Sequence, residues 1–191
     1  MNWIKGIKED IVPVELIDVK RNTYSVNYAV RDYTPSQEEI DEGMFIPNCE
    51  YLEKTYTGKP NTSTLKTLLL ETQEEYDNSD EVNCFYINGE KGWVTKADRV
   101  GLVNSITVLE AAGINEYTVW LNDKSYTLPT SVLKSFLGEV ELYAMHCYEV
   151  TQRHIAEISA LTSRDEILNY NISIGYPAKI EFDTNQAVNQ E

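Results

Sequence analysis

The segment NTYSVNYAVRD alternates, with Tyr24, Val26, Tyr28 and Val30 on one side and Ser25, Asn27, Ala29 and Arg31 on the other. That is the period-two pattern of a half-buried strand. IVPVELIDV before it predicts a partner strand, and Pro13 places that partner at a sheet edge. Ser36 and Glu39 stand at capping-box spacing, so SQEEIDEG predicts a helix of one to two turns that stops at Gly43. Residues 44–63 carry Pro47, Gly58 and Pro60 among polar positions and read as a long loop or an edge segment. From Thr64 to Tyr76, Leu65, Leu68, Leu69, Thr72 and Tyr76 recur at helical spacing, until DNSDE at 77–81 breaks the pattern.

In NCFYINGEKGWV two short apolar runs flank Asn88-Gly89, the strongest local signal for a hairpin. Thr95 and Asp98 open a helix through Leu102, Ile106 and Leu109 to Gly113. EYTVWLNDKSYTLP predicts a second hairpin, with Tyr117, Val119 and Leu121 on one face and a turn near Asn122-Asp123. The longest helix follows, over about 131–161. Ser163 and Glu166 cap a short helix through Tyr170, and SIGYPAKIEF predicts a turn and a strand-like end.

Along the long helix Leu133, Leu137, Val140, Ala144, Cys147, Thr151, His154, Ile158 and Leu161 follow one another in steps of four and three, an a/d seam. The chain's two histidines, His146 and His154, both lie on this helix, as does Cys147. Cys147 and His154 stand roughly 10 Å apart along the axis, and His146 faces about 100° away from Cys147. A metal site needs three or four converging ligands, so the seam predicts packing rather than coordination. His154 reads as a polar seam residue, hydrogen-bonded one turn back to Thr151.

Charge narrows the classes of partner. With 16 Lys and Arg against 31 Asp and Glu, the formal net charge is -15, which opposes approach to nucleic acid or to an anionic membrane. Thirteen Tyr against four Phe favour surfaces that are apolar at one end and wet at the other. Cys49, Cys84 and Cys147 make no CxxC pairing and read as reduced small hydrophobes. No apolar run is long enough to act as a signal sequence or to cross a membrane. The expected location is the cytoplasm of the producing cell, or a larger particle assembled there.

Catalytic chemistry finds no support. GxSxG, HExxH, GxxxxGK[ST] and GxGxxG are all missing, and neighbours such as His146 and Cys147 face different ways on a helix. The acidic pairs Glu38-Glu39, Glu74-Glu75 and Asp165-Glu166 read as solvated faces or helix starts. The sequence thus predicts no catalytic residue, no cofactor and no metal. Its candidate site is an interface on Leu137, Val140, Ala144, Cys147, Thr151, His154 and Ile158. The shorter helix before it leaves about half of that seam uncovered, which predicts a homo-oligomer or docking onto a partner.

From Trp93 onward the chain resembles an uncharacterised domain family of phage and prophage proteins. The residues that carry the resemblance are Trp93, Arg99, Tyr143, Ala144, Thr151, His154, Ile158, Leu161, Ile167, Tyr170, Gly175, Tyr176, Pro177 and Lys179. The resemblance covers roughly the last hundred residues. It implies a phage-encoded protein, commonly near virion and tail genes, and brings no catalytic residues with it.

The expected fold is α+β: a small N-terminal mixed sheet and helix part over 1–90, a helix–hairpin–long helix unit over 91–182, and a flexible tail over 183–191. The expected function is a structural protein of a phage or prophage particle (tail, tail fibre or head decoration) that contacts other virion proteins. A tail-fibre assembly chaperone and an acidic nucleic-acid mimic that blocks a host enzyme are the alternatives.

Overall fold

The structure, a computed structural model, describes residues 1–42 and 45–184. Gly43, the expected helix stop, and most of the expected tail lie outside the described residues. The fold is α+β. Two compact units share the chain: residues 1–79 with 150–175 form one, and residues 80–149 with the segment from Tyr176 form the other.

The first unit holds a four-stranded antiparallel sheet of β1 (Ile4–Gly6), β2 (Val14–Asp18), β3 (Thr23–Asp32) and β4 (Cys49–Thr57), in the order β1-β4-β3-β2. Edge placement of β2, after Pro13, agrees with the sequence pattern. β4 does not: residues read as a loop or edge segment form an inner strand between β1 and β3. Its Glu50, Glu53 and Lys54 broke the apolar alternation, yet Glu50 has a partner across the ladder in Arg31.

A bulge corrects the alternation of β3 itself. Tyr28 faces Leu52 but Arg31 faces Glu50, so Ala29 and Val30 together oppose Tyr51. Ala29 takes φ 53° and is fully buried. The extra residue reverses the pleat, so Arg31 shares the face of Val26 and Tyr28 instead of opposing it. There Arg31 meets Glu50 at 2.7 Å, and its guanidinium lies 3.8 Å above the Trp3 ring.

The remaining elements of this unit are α1 (Gln37–Glu42), α2 (Thr62–Asp77) and α5 (Arg164–Leu168). Asn61 caps α2 by accepting from the Thr64 amide at 2.9 Å. Ser163 and Glu166 form the expected capping box of α5. Leu65, Leu68, Leu69 and Tyr76 of α2 are buried, as are Ile167 and Leu168 of α5.

The second unit begins with the hairpin β5 (Phe85–Ile87) and β6 (Glu90–Gly92). Asn88 and Gly89 both have positive φ, 50° and 79°, as a type I′ turn demands. β9 (Ile180–Phe182) adds to β5 in parallel, which local pattern could not foresee. Helix α3 (Lys96–Ala111), capped by Thr95, and the hairpin β7 (Glu116–Leu121) with β8 (Lys124–Pro129) follow as expected. Asn122 and Asp123 supply its turn, again with φ positive at both. Helix α4 (Thr130–Ala160) contributes to both units. The core of the second unit gathers Phe85, Ile87, Ile106, Leu128, Leu133, Phe136, Leu137 and Val140.

Candidate functional site

The expected interface along α4 is inside the chain. Leu137 and Val140 belong to the core of the second unit, and Cys147, Thr151, His154 and Ile158 are buried; Ala144 is half-buried. This corrects the expectation of an uncovered stripe, and the cover comes from segments far away in sequence. The Thr151 hydroxyl donates to Asp77 at 2.6 Å, across 74 residues. His154 is held by Tyr170 and Ile174.

The histidine's surroundings form a closed polar cluster. Nε2 stands 2.9 Å from the Ile174 carbonyl and Nδ1 stands 2.6 Å from the Tyr170 hydroxyl. That hydroxyl also stands 2.6 Å from Glu157 Oε2, so its single hydrogen serves one of two acceptors at a time. Burial is the main influence on His154 and lowers its pKa; the Ile174 carbonyl and Glu157 act against that shift, while Arg153 adds to it. The cluster reads as a fastening of α4 to the segment after α5. His146, one residue before Cys147, is exposed. Among the described residues no three His, Cys, Asp or Glu come together as a metal could use them.

Several of the residues singled out from Trp93 onward contact one another. Trp93 packs against Tyr143 with ring centres 6.1 Å apart, and the Arg99 guanidinium lies 5.5 Å from the Trp93 ring centre. The Tyr143 hydroxyl donates to the Val82 carbonyl at 2.7 Å. The Lys179 ammonium donates to that carbonyl at 3.2 Å, to the Glu81 carbonyl, and to Tyr143 Oη at 3.1 Å. Burial lowers the pKa of Lys179. Gly175 takes φ 82°, and a Cβ there would fall 2.7 Å from Arg153 Nη2.

An exposed apolar surface lies around α3. Arg99 anchors the helix from beneath: it is buried, its Nε donates to Glu141 at 2.7 Å and its Nη1 donates to the Val94 carbonyl at 2.7 Å. A groove of about 390 Å³ runs between α3 and α4 over Val100, Val103, Asn104 and Gly138. A second, of about 450 Å³, continues past Lys96, Met145 and Tyr148, and Arg99 and Glu141 line both. An apolar pocket of about 440 Å³ lies on the hairpin side, among Trp93, Leu102, Val119 and Phe136. Its one carboxylate, Asp98, accepts from the Thr95 hydroxyl at 2.6 Å and serves the helix cap.

α3 buries only Arg99 and Ile106. Val100 is 54% exposed, Val103 36% and Val108 68%. From Val100 to Leu109 the helix carries no charged side chain, in a chain where a quarter of all residues are charged. Exposed helix faces are ordinarily where charge collects. Leu142, Met145 and Tyr148 on α4 are exposed as well. Sequence reasoning missed this face because its apolar residues look like core; the missing charges were the available signal.

An uncharged, exposed helical face thus lies beside two shallow grooves, with Arg99 beneath it engaged by Glu141 and Val94. No family model, no curated protein and no solved structure matches this chain.

Proposed function

We propose that this chain is a non-catalytic structural protein of a phage or prophage particle, a tail, tail-fibre or head-decoration component that works through protein–protein contacts. The observation that carries the contact role is the exposed, uncharged face of α3 from Val100 to Val108. Apolar surface left wet in a soluble protein marks an interaction site. The phage setting rests on the resemblance that begins at Trp93. The net charge of -15 keeps the chain off nucleic acid and anionic lipid. No helix among the described residues is long and apolar enough to cross a membrane.

Mass spectrometry of purified particles tests the proposal. The chain is expected at fixed stoichiometry to a tail or head protein, and Val103→Glu is expected to deplete it from the particles without unfolding it. A chain absent from particles but recovered on unassembled fibres would be an assembly chaperone instead.

A further inference from the structure

We infer that the exposed face of α3 is a self-association surface, and that its occupant is a second copy of this chain packed antiparallel about a twofold axis near Val103. The inference rests on the contact role proposed for this face and names the partner.

Lys96, Val100, Val103, Thr107 and Glu110 follow one another in steps of four and three, which places all five on one stripe of the helix. All five are exposed. Lys96 and Glu110 stand seven residues either side of Val103, so the stripe has a basic end, an uncharged middle and an acidic end. A twofold axis through Val103 sets Lys96 of each copy over Glu110 of the other, and brings Val100 within a residue of Thr107. Such an isologous contact satisfies itself with one patch. The stripe spans about 21 Å, and antiparallel pairing also opposes the two helix dipoles favourably.

Charge selects the second copy over a basic partner. A cationic helix would be matched by several carboxylates along the stripe, and the stripe has one, at its end. Two chains of charge -15 repel at a distance and can meet closely only where neither presents carboxylates. Gly138 fits the same reading. It lines the groove beside Val100 and Val103, inside a helix, where glycine is unfavourable by about 1 kcal/mol relative to alanine. A Cβ there would meet nothing within 4 Å.

The test is light scattering after size exclusion on the full chain, from about 5 to about 200 µM in about 0.15 M salt, the range in which a small interface populates both states. The mass should rise from 21.9 kDa toward twice that value with concentration, and further when salt screens the repulsion. Val103→Glu should hold the chain at the single-chain mass with an unchanged melting temperature. Lys96→Glu should weaken the pairing, and adding Glu110→Lys should restore it. Val103→Cys should cross-link under mild oxidation while Val108→Cys, about 140° round the helix, should not. A wild type that stays at the single-chain mass throughout, or a pair indifferent to Val103→Glu, overturns the inference. Should pairing fail while particles still carry the chain, the structural role stands and only the second copy is wrong.

Discussion

His154 Nε2 stands 2.9 Å from the carbonyl oxygen of Ile174, twenty residues further along the chain. A ring nitrogen meets a carbonyl only by donating, so Nε2 carries the hydrogen and Nδ1 turns to Tyr170. The pair fastens the last turns of α4 to the segment that follows α5.

The sign of the pH response follows from that burial. The folded pKa of His154 lies below the ordinary 6.5, so the unfolded chain takes up its proton first. This residue's contribution is fully present above pH 6.5 and is lost as pH falls through the folded value. Thermal midpoints should be level just above pH 6.5 and should decline as pH falls below it. The decline should shrink in His154→Gln. A His154 imidazole that titrates by NMR at or above 6.5 would contradict this.

Gly89→Val should destabilise the chain by about 1 kcal/mol or more, because a β-branched residue resists positive φ. Gly89 has φ 79°, and nothing lies within 4 Å of where its Cβ would sit, so the cost is conformational rather than steric. Gly89→Asn is the control, since asparagine tolerates this region and should cost less. Equal denaturation midpoints for wild type and Gly89→Val would refute the turn assignment.

Gly92 is needed for a different reason. A Cβ there would collide with Leu121 Cδ2, with Leu121 Cγ at 3.1 Å and Phe85 Cε2 at 3.2 Å. Gly92→Ala should therefore cost about 1–3 kcal/mol by overpacking. Adding Leu121→Ala, which vacates the space, should make the second substitution at Gly92 nearly free. A double-mutant cycle in urea with no coupling would show that the two do not compete.

Two ion pairs of this unit should differ sharply in worth. Glu141→Gln removes the charge that accompanies buried Arg99, and about 1–3 kcal/mol is expected, since Glu141 itself is 41% exposed and water screens part of the loss. Glu110→Gln, opposite exposed Lys134, should cost about 0.5 kcal/mol or less. Chemical denaturation of the two variants gives the comparison, and equal costs would mean that Arg99 finds other compensation.

What the sequence by itself determined were features whose energy is local. Asn88-Gly89 and Asn122-Asp123 had to turn the chain, Thr95 and Ser163 had to start helices, and the long periodic run had to be a helix, because the groups concerned lie within a few residues of one another. Even the α4 seam was legible as a stripe, though not what would cover it. That cover depended on Asp77, Tyr170 and Ile174 reaching α4 from other parts of the chain. Only the tertiary structure decided that β4 is an inner strand, that the bulge at Ala29 turns Arg31 inward toward Glu50, and that β9 joins β5 in parallel. It also decided which apolar helix stays wet. α3 and α4 both look like core in sequence, but the chain covers most of the α4 seam and buries only Arg99 and Ile106 of α3. Burial is a property of what distant segments reach, and no window along a chain contains it.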